Sequence, residues 1–171
     1  MGLPKRKPNR LPGYDYGSPG AYFVTACTRG RRGILSRISV GEGLAPPDVR
    51  LTECGRIVER NIFEIEKRFN FTADKYIIMP NHVHLLISVP ECAGGPRPSP
   101  TITDAICAFK SLSAVECGRE IGVKNLWQRS FHDHVIRGED DRQKIWEYID
   151  GNAQKWPEDC FYVPVDGERT Q

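Results

Sequence analysis

The stretch IIMPNHVHLLISV, residues 77–89, restricts this chain more than any other. After the Pro80–Asn81 corner it reads as a strand over 82–89, and side chains along a strand alternate between faces. Val83, Leu85, Ile87 and Val89 then share one wholly apolar face, which other elements must cover. His82, His84, Leu86 and Ser88 share the other face, with the imidazoles roughly 7 Å apart at the backbone. The expectation is an accessible histidine face at the start of the strand. Two neutral imidazoles converging there can hold one divalent cation. An ordinary hydrogen-bonded pair has the same spacing, so the pair becomes a site only if a third group joins it.

The rest of the pattern supplies the covering elements. AYFVTACT (21–28) alternates as a strand and runs into a basic turn, RGRRG, while 41–50 reads as a loop. Thr52 is placed to cap a helix over 53–69, in which Ile57, Val58, Ile62, Ile65 and Phe69 recur at helical spacing. ADKYIIM (73–79) is a second strand-like run, and 90–100 is a Pro/Gly-rich connection. A second helix is expected from Thr101 or Thr103 to Glu116, burying Ile102, Ile106, Phe109, Leu112 and Val115. FHDHVIR (131–137) reads as a strand, and 139–156 as a helix that opens with acids at the positive end of its dipole. This order implies an α+β sandwich, ferredoxin-like or RRM-like, with a mainly antiparallel sheet and helices packed on one face. A chain of 171 residues suits a single domain over 21–160, between a basic N-terminal arm (1–20) and a C-terminal tail (161–171).

Charge and cysteine usage narrow the class. The net charge of +2 hides an asymmetry, because residues 1–32 hold seven Lys/Arg against one Asp. A basic arm on a slightly acidic body suits a polyanion partner, and equally a solvated tail. Cys27, Cys54, Cys92, Cys107, Cys117 and Cys160 form no C-x-x-C pair and read as reduced thiols of a cytoplasmic protein. No window approaches the roughly 18 apolar residues of a membrane span, and no apolar segment follows the basic start, so neither a membrane partner nor a secretory signal is expected.

Tyr148 and Asn152 lie four apart in the last helix and so share a face. If that face meets the histidines, Asn152 can bring its amide oxygen to a cation and Tyr148 a nucleophilic phenol beside it. The plainer alternatives are a rim aromatic and a helix C-cap. A rival uses His132 and His134, the second H-x-H pair: four histidines from adjacent strands would make a closed, structural zinc module.

The stretches YFVTACTRGRRGIL, LTECGRIVE, YIIMPNHVHLLISV, AFKSLS, LWQRSFHDHVIRGEDD and IWEYIDGN occur in that order over residues 20–160. Together they resemble the HUH single-tyrosine transposases of the IS200-like type, and within them the REP-associated tyrosine transposases. The resemblance implies His82, His84 and Asn152 as ligands of Mg²⁺ or Mn²⁺ and Tyr148 as the nucleophile. It implies cleavage and rejoining of single-stranded DNA through a 5′-phosphotyrosine, at hairpin sites. Ala153 departs from the family's usual proline, so the helix is expected to run on toward Trp156; the alternative reading is a domesticated, non-catalytic DNA binder. For DNA contact, Arg29, Arg31, Arg32, Lys110, Arg129 and Arg137 can neutralise phosphates, while Trp127 or Phe131 can stack bases if they are not core residues. Homodimeric and monomeric arrangements both fit such a chain.

Overall fold

The computed structural model describes residues 18–39, 46–91, 100–159 and 162. Lys5, Arg6, Lys7 and Arg10 of the basic arm, residues 92–99 of the Pro/Gly-rich connection, and Cys92 and Cys160 lie outside them. In chain order the elements are β1 (Gly20–Cys27), β2 (Ser36–Ser39), β3 (Asp48–Leu51), α1 (Glu53–Phe69), β4 (Thr72–Ile78), β5 (His82–Val89), α2 (Ile102–Ile121), β6 (His132–Val135) and α3 (Glu139–Gly151). The main sheet runs β4-β5-β1-β6 and every neighbouring pair in it is antiparallel. With β2 and β3 set aside as a small separate hairpin, this is the βαββαβ order of a ferredoxin-like α+β fold.

Local signals placed the helices well. The Thr52 side chain accepts from the Gly55 N–H at 3.1 Å, relieving one of the unpaired donors at the start of α1. Gly55 is needed there because a Cβ would sit 2.0 Å from the Leu35 carbonyl oxygen, so the helix start can press directly on that backbone. Thr101 and Asp104 form a reciprocal capping box at the start of α2. Two expectations need correcting. Residues 48–50, read as the end of a loop over 41–50, belong with Leu51 to a strand that pairs with 36–39, and both strands are too short to show an alternation. Along α2 the buried stripe runs Ile102, Ile106, Phe109, Ser113, Cys117, and Val115 is exposed. A true 3.6-residue period carries the stripe to 113 and 117, where Ser113 accepts from the Trp127 indole and Cys117 meets Cys54 of α1.

The two sheet faces are unequal. Tyr22, Val24 and Ala26 of β1 join Val83, Leu85, Ile87 and Val89 of β5 against α1 and α2 in the main core. The other face carries a smaller cluster: Leu86 packs on Ile145 and Ile149 of α3, with Phe23, Ile77 and Trp146 around them. The helices are therefore not confined to one face, as expected, but divided between two. The cause is Leu86 with its neighbour Phe23, an apolar strip on the histidine face that also has to be covered. Among the described residues no helix is long and apolar enough to cross a membrane.

Candidate active site

Covering that strip places α3 over the histidines. His82 is 0% and His84 2% exposed, so the accessible face expected of them is a buried one. Their Nε2 atoms lie 3.0 Å apart, with ring centroids 4.5 Å apart. Burial pushes His82 down to about 2 and His84 to about 3; for His82 the neighbouring His84 and the positive charge of Arg31 add to the effect. Both rings are thus neutral and able to act as ligands.

The outer nitrogens are also held. His82 Nδ1 lies 2.8 Å from Asn81 Oδ1, and the Asn81 amide nitrogen donates to the Arg31 carbonyl at 3.3 Å. That orientation makes Asn81 Oδ1 the acceptor and leaves a lone pair on His82 Nε2. His84 Nδ1 lies 2.8 Å from the Thr25 hydroxyl, which can give or take a proton. When Thr25 donates, His84 Nε2–H bonds to His82 Nε2. When Thr25 accepts, both Nε2 lone pairs face one point, as two ligands of a shared cation do. The sequence reading missed Thr25 and Asn81. Asn81 was in plain view beside the pair, whereas only the β1–β5 register puts Thr25 opposite His84.

The Tyr148 hydroxyl comes to 3.4 Å from His84 Nε2, the same nitrogen that faces His82. Its ring meets those of His84 and Phe23 edge-on, at 5.3 and 5.9 Å, while 48% of the residue stays exposed. Asn152, one turn on, is 3% exposed, and neither its amide oxygen nor its nitrogen has a hydrogen-bond partner among the described residues. Leaving such a group unpaired costs about 1–3 kcal/mol. An orphaned amide oxygen and two neutral imidazoles form a donor set that suits a divalent ion such as Mn²⁺ or Mg²⁺. Tyr148, Asn152 and Lys155 line a cavity of about 300 Å³ open to solvent. The α-helix ends at Gly151 and does not run on unbroken to Trp156; Asn152 keeps a helical backbone, and single turns follow, with Lys155 N–H donating to the Gly151 carbonyl and Trp156 N–H to that of Ala153. Ala153 is itself buried there.

The expected DNA contacts divide. Arg29, Arg31 and Arg32 follow β1 at the end of the sheet where His82 begins β5, and exposed Arg129 lies on the segment bridged to them by the Thr28–Trp127 pair. Arg137 sits at the opposite end of β6. Lys110 was expected on DNA, but its ammonium is taken by the carbonyls of Gln128, Arg129 and Ser130 at 2.7–3.2 Å. Arg32 likewise spends donors on the carbonyls of Lys124 and Asn125. Trp127 is a core residue, 9% exposed, with its indole N–H donating to Ser113. Phe131 is half-buried against the same core. The four-histidine zinc reading fails on geometry: β1 lies between β5 and β6, and exposed His134 pairs with Asp141 at 2.9 Å.

Residues 48–152 match the family model described as "Transposase IS200 like". The chain belongs to that family. A transposase role follows, in a family that is generally metal-dependent. The chain is 23% identical to the REP-associated tyrosine transposase of Escherichia coli K12, over 85% of its length and 79% of the relative's. It is 28% identical to an uncharacterised protein of Haemophilus influenzae, over 95% of this chain and 96% of that one. Among solved structures it matches a REP-associated tyrosine transposase bound to a REP hairpin, with a TM-score of 0.60 and 24% identity, over 80% of this chain and 67% of that chain. A candidate transposase of Deinococcus radiodurans gives a TM-score of 0.51 at 20% identity, over 82% and 94%. At these identities the two structures speak for the fold alone.

Proposed function

We propose that this transposase cleaves and rejoins single-stranded DNA in the cytoplasm with Tyr148 as its nucleophile. The observation that carries the reading is the Tyr148 hydroxyl 3.4 Å from His84 Nε2, itself 3.0 Å from His82 Nε2, with the buried and unpartnered Asn152 amide one helical turn beyond Tyr148. His82, His84 and Asn152 would hold Mg²⁺ or Mn²⁺, which when bound supplies positive charge to a phosphate oxygen. Phe23 and His84 orient the phenol by edge contacts. Tyr148 forms a bond from its oxygen to phosphorus as the bond to the 3′ oxygen breaks. The phenol proton is lost, the leaving 3′ oxygen gains one, and a 5′-phosphotyrosine holds the strand. Because one phosphate ester replaces another, a second 3′ end can reverse the step without a nucleotide cofactor.

The substrate we favour is a hairpin with a single-stranded flank. Arg29, Arg31 and Arg129 would meet its phosphates at the His82 end of the sheet, and the basic arm, residues 1–20, would grip the stem. The test is a denaturing gel after incubation with labelled hairpin DNA from the flanks of the gene, with Mn²⁺ or Mg²⁺. An SDS-resistant adduct is expected that disappears in Tyr148→Phe and with chelator. Hairpin binding without any adduct would instead make this chain a non-catalytic DNA binder.

A further inference from the structure

The apolar hold on α3 is thin, with Leu86, Ile145 and Ile149 its buried members, yet α3 carries Tyr148. What steadies it is polar, and it comes from an irregularity in β4. In the β4–β5 register Ala73 opposes Ile87 and Lys75 opposes Leu86, so Asp74 is an extra residue. Such a bulge turns two consecutive side chains to one face, where a regular strand would send them to opposite faces. Here both Asp74 and Lys75 meet α3. Asp74 takes Arg142 at 2.9 Å and accepts a hydrogen bond from Ser88. Lys75 pairs with Asp150, and its ammonium lies 4.2 Å from the centre of the Trp146 ring. Asp74 and Arg142 are 15% and 30% exposed, so that pair is better shielded than an ordinary surface one, whereas Asp150, at 61%, leaves the Lys75 pair open on one side.

We infer that Asp74 and Lys75 are positioning residues for the nucleophile: a two-point latch that grips α3 on either side of Tyr148 and sets the phenol over the histidines. Arg142 lies before Tyr148 and Asp150 after it, so the latch restrains both the tilt and the slide of the helix. This rests on the reading of Tyr148 as nucleophile, and its test has one arm that does not.

The experiment compares wild type, Asp74→Ala, Lys75→Ala and the charge swap Asp74→Arg/Arg142→Asp. Amide exchange in α3 is expected to quicken about tenfold in the single variants, with α1 and α2 unchanged as the internal check on folding. Adduct formation is expected to slow roughly tenfold or more at saturating hairpin while the hairpin Kd holds, because misplacing a reacting group costs rate. The swap should recover much of both. Lys75→Met, which keeps the stem over Trp146 and removes the charge, covers the case of a poorly folded alanine variant. Unchanged α3 exchange in every variant overturns the latch, as does a parallel loss of binding and rate. If wild type forms no adduct, the nucleophile reading fails and the exchange data alone decide whether α3 is latched.

Discussion

Two segments of this chain read H-x-H, and both pairs end up on the same face of the same sheet, since Thr25 opposes His84 on one side and His132 on the other. Their chemistry is nevertheless opposite. His82 and His84 lie in the central strand β5 under α3, desolvated, neutral and tied at Nδ1. His132 and His134 lie in the edge strand β6 in solvent, and His134 meets Asp141, whose carboxyl is held low chiefly by the Arg137 N–H and then by His134. Asp141 lies in the first turn of α3, a helix with no side-chain cap of its own, so His134 of the second pair and the Arg137 N–H help anchor the helix that covers the first. Spacing decides which face a pair takes; the covering element decides what the pair can do.

Removing one pair at a time sets the two segments against each other most directly. His82→Ala or His84→Ala is expected to lower adduct formation at least about 100-fold, while His132→Ala leaves cleavage near wild type. Equal losses from both pairs on the same gel would sink the contrast.

Acid unfolding sharpens it next. His82 and His84 titrate far below the usual 6.5 in the folded chain, so below that pH the unfolded state binds protons that the folded state refuses. Their contribution is complete above pH 6.5 and is lost as pH falls, by up to about 1.4 kcal/mol per pH unit for each histidine in chelator-treated protein. Urea melts between pH 7 and 5 should show this slope, and His82→Asn/His84→Asn should flatten it where His132→Asn does not.

A smaller effect is expected from the groups behind the first pair. Thr25→Val and Asn81→Ala leave both ligands present yet should weaken Mn²⁺ binding by roughly 10–100-fold, measured by calorimetry. Smallest of all, His134→Ala should cost less than about 1 kcal/mol in the same urea melts, as exposed pairs do. A larger loss would mean that β6 supports the site more than its exposure suggests.

Much of this was legible before any coordinates. The alternation in 82–89, the start of α1 at Thr52, that of α2 narrowed to Thr101 or Thr103, and the shared face of Tyr148 and Asn152 depend on neighbours within a turn or a strand, and α1 and β5 have the expected bounds. The DNA-facing side chains were less legible, because solvation is not a local property. Lys110 and Trp127 look like nucleic-acid contacts in a list of residues, but α2 and the segment before β6 consume both.

The periods, the caps and the kinds of group available could be read along the chain, since these follow from backbone geometry and the residues nearest in sequence. It took the packed fold to bury the histidines and keep them neutral, to stand Thr25 behind His84, and to turn Asp74 and Lys75 together toward α3 through a bulge. What separates the two is reach. The contacts that make the site join residues 59, 64 and 68 positions apart, and no local rule of the chain specifies which distant groups will share one dry space.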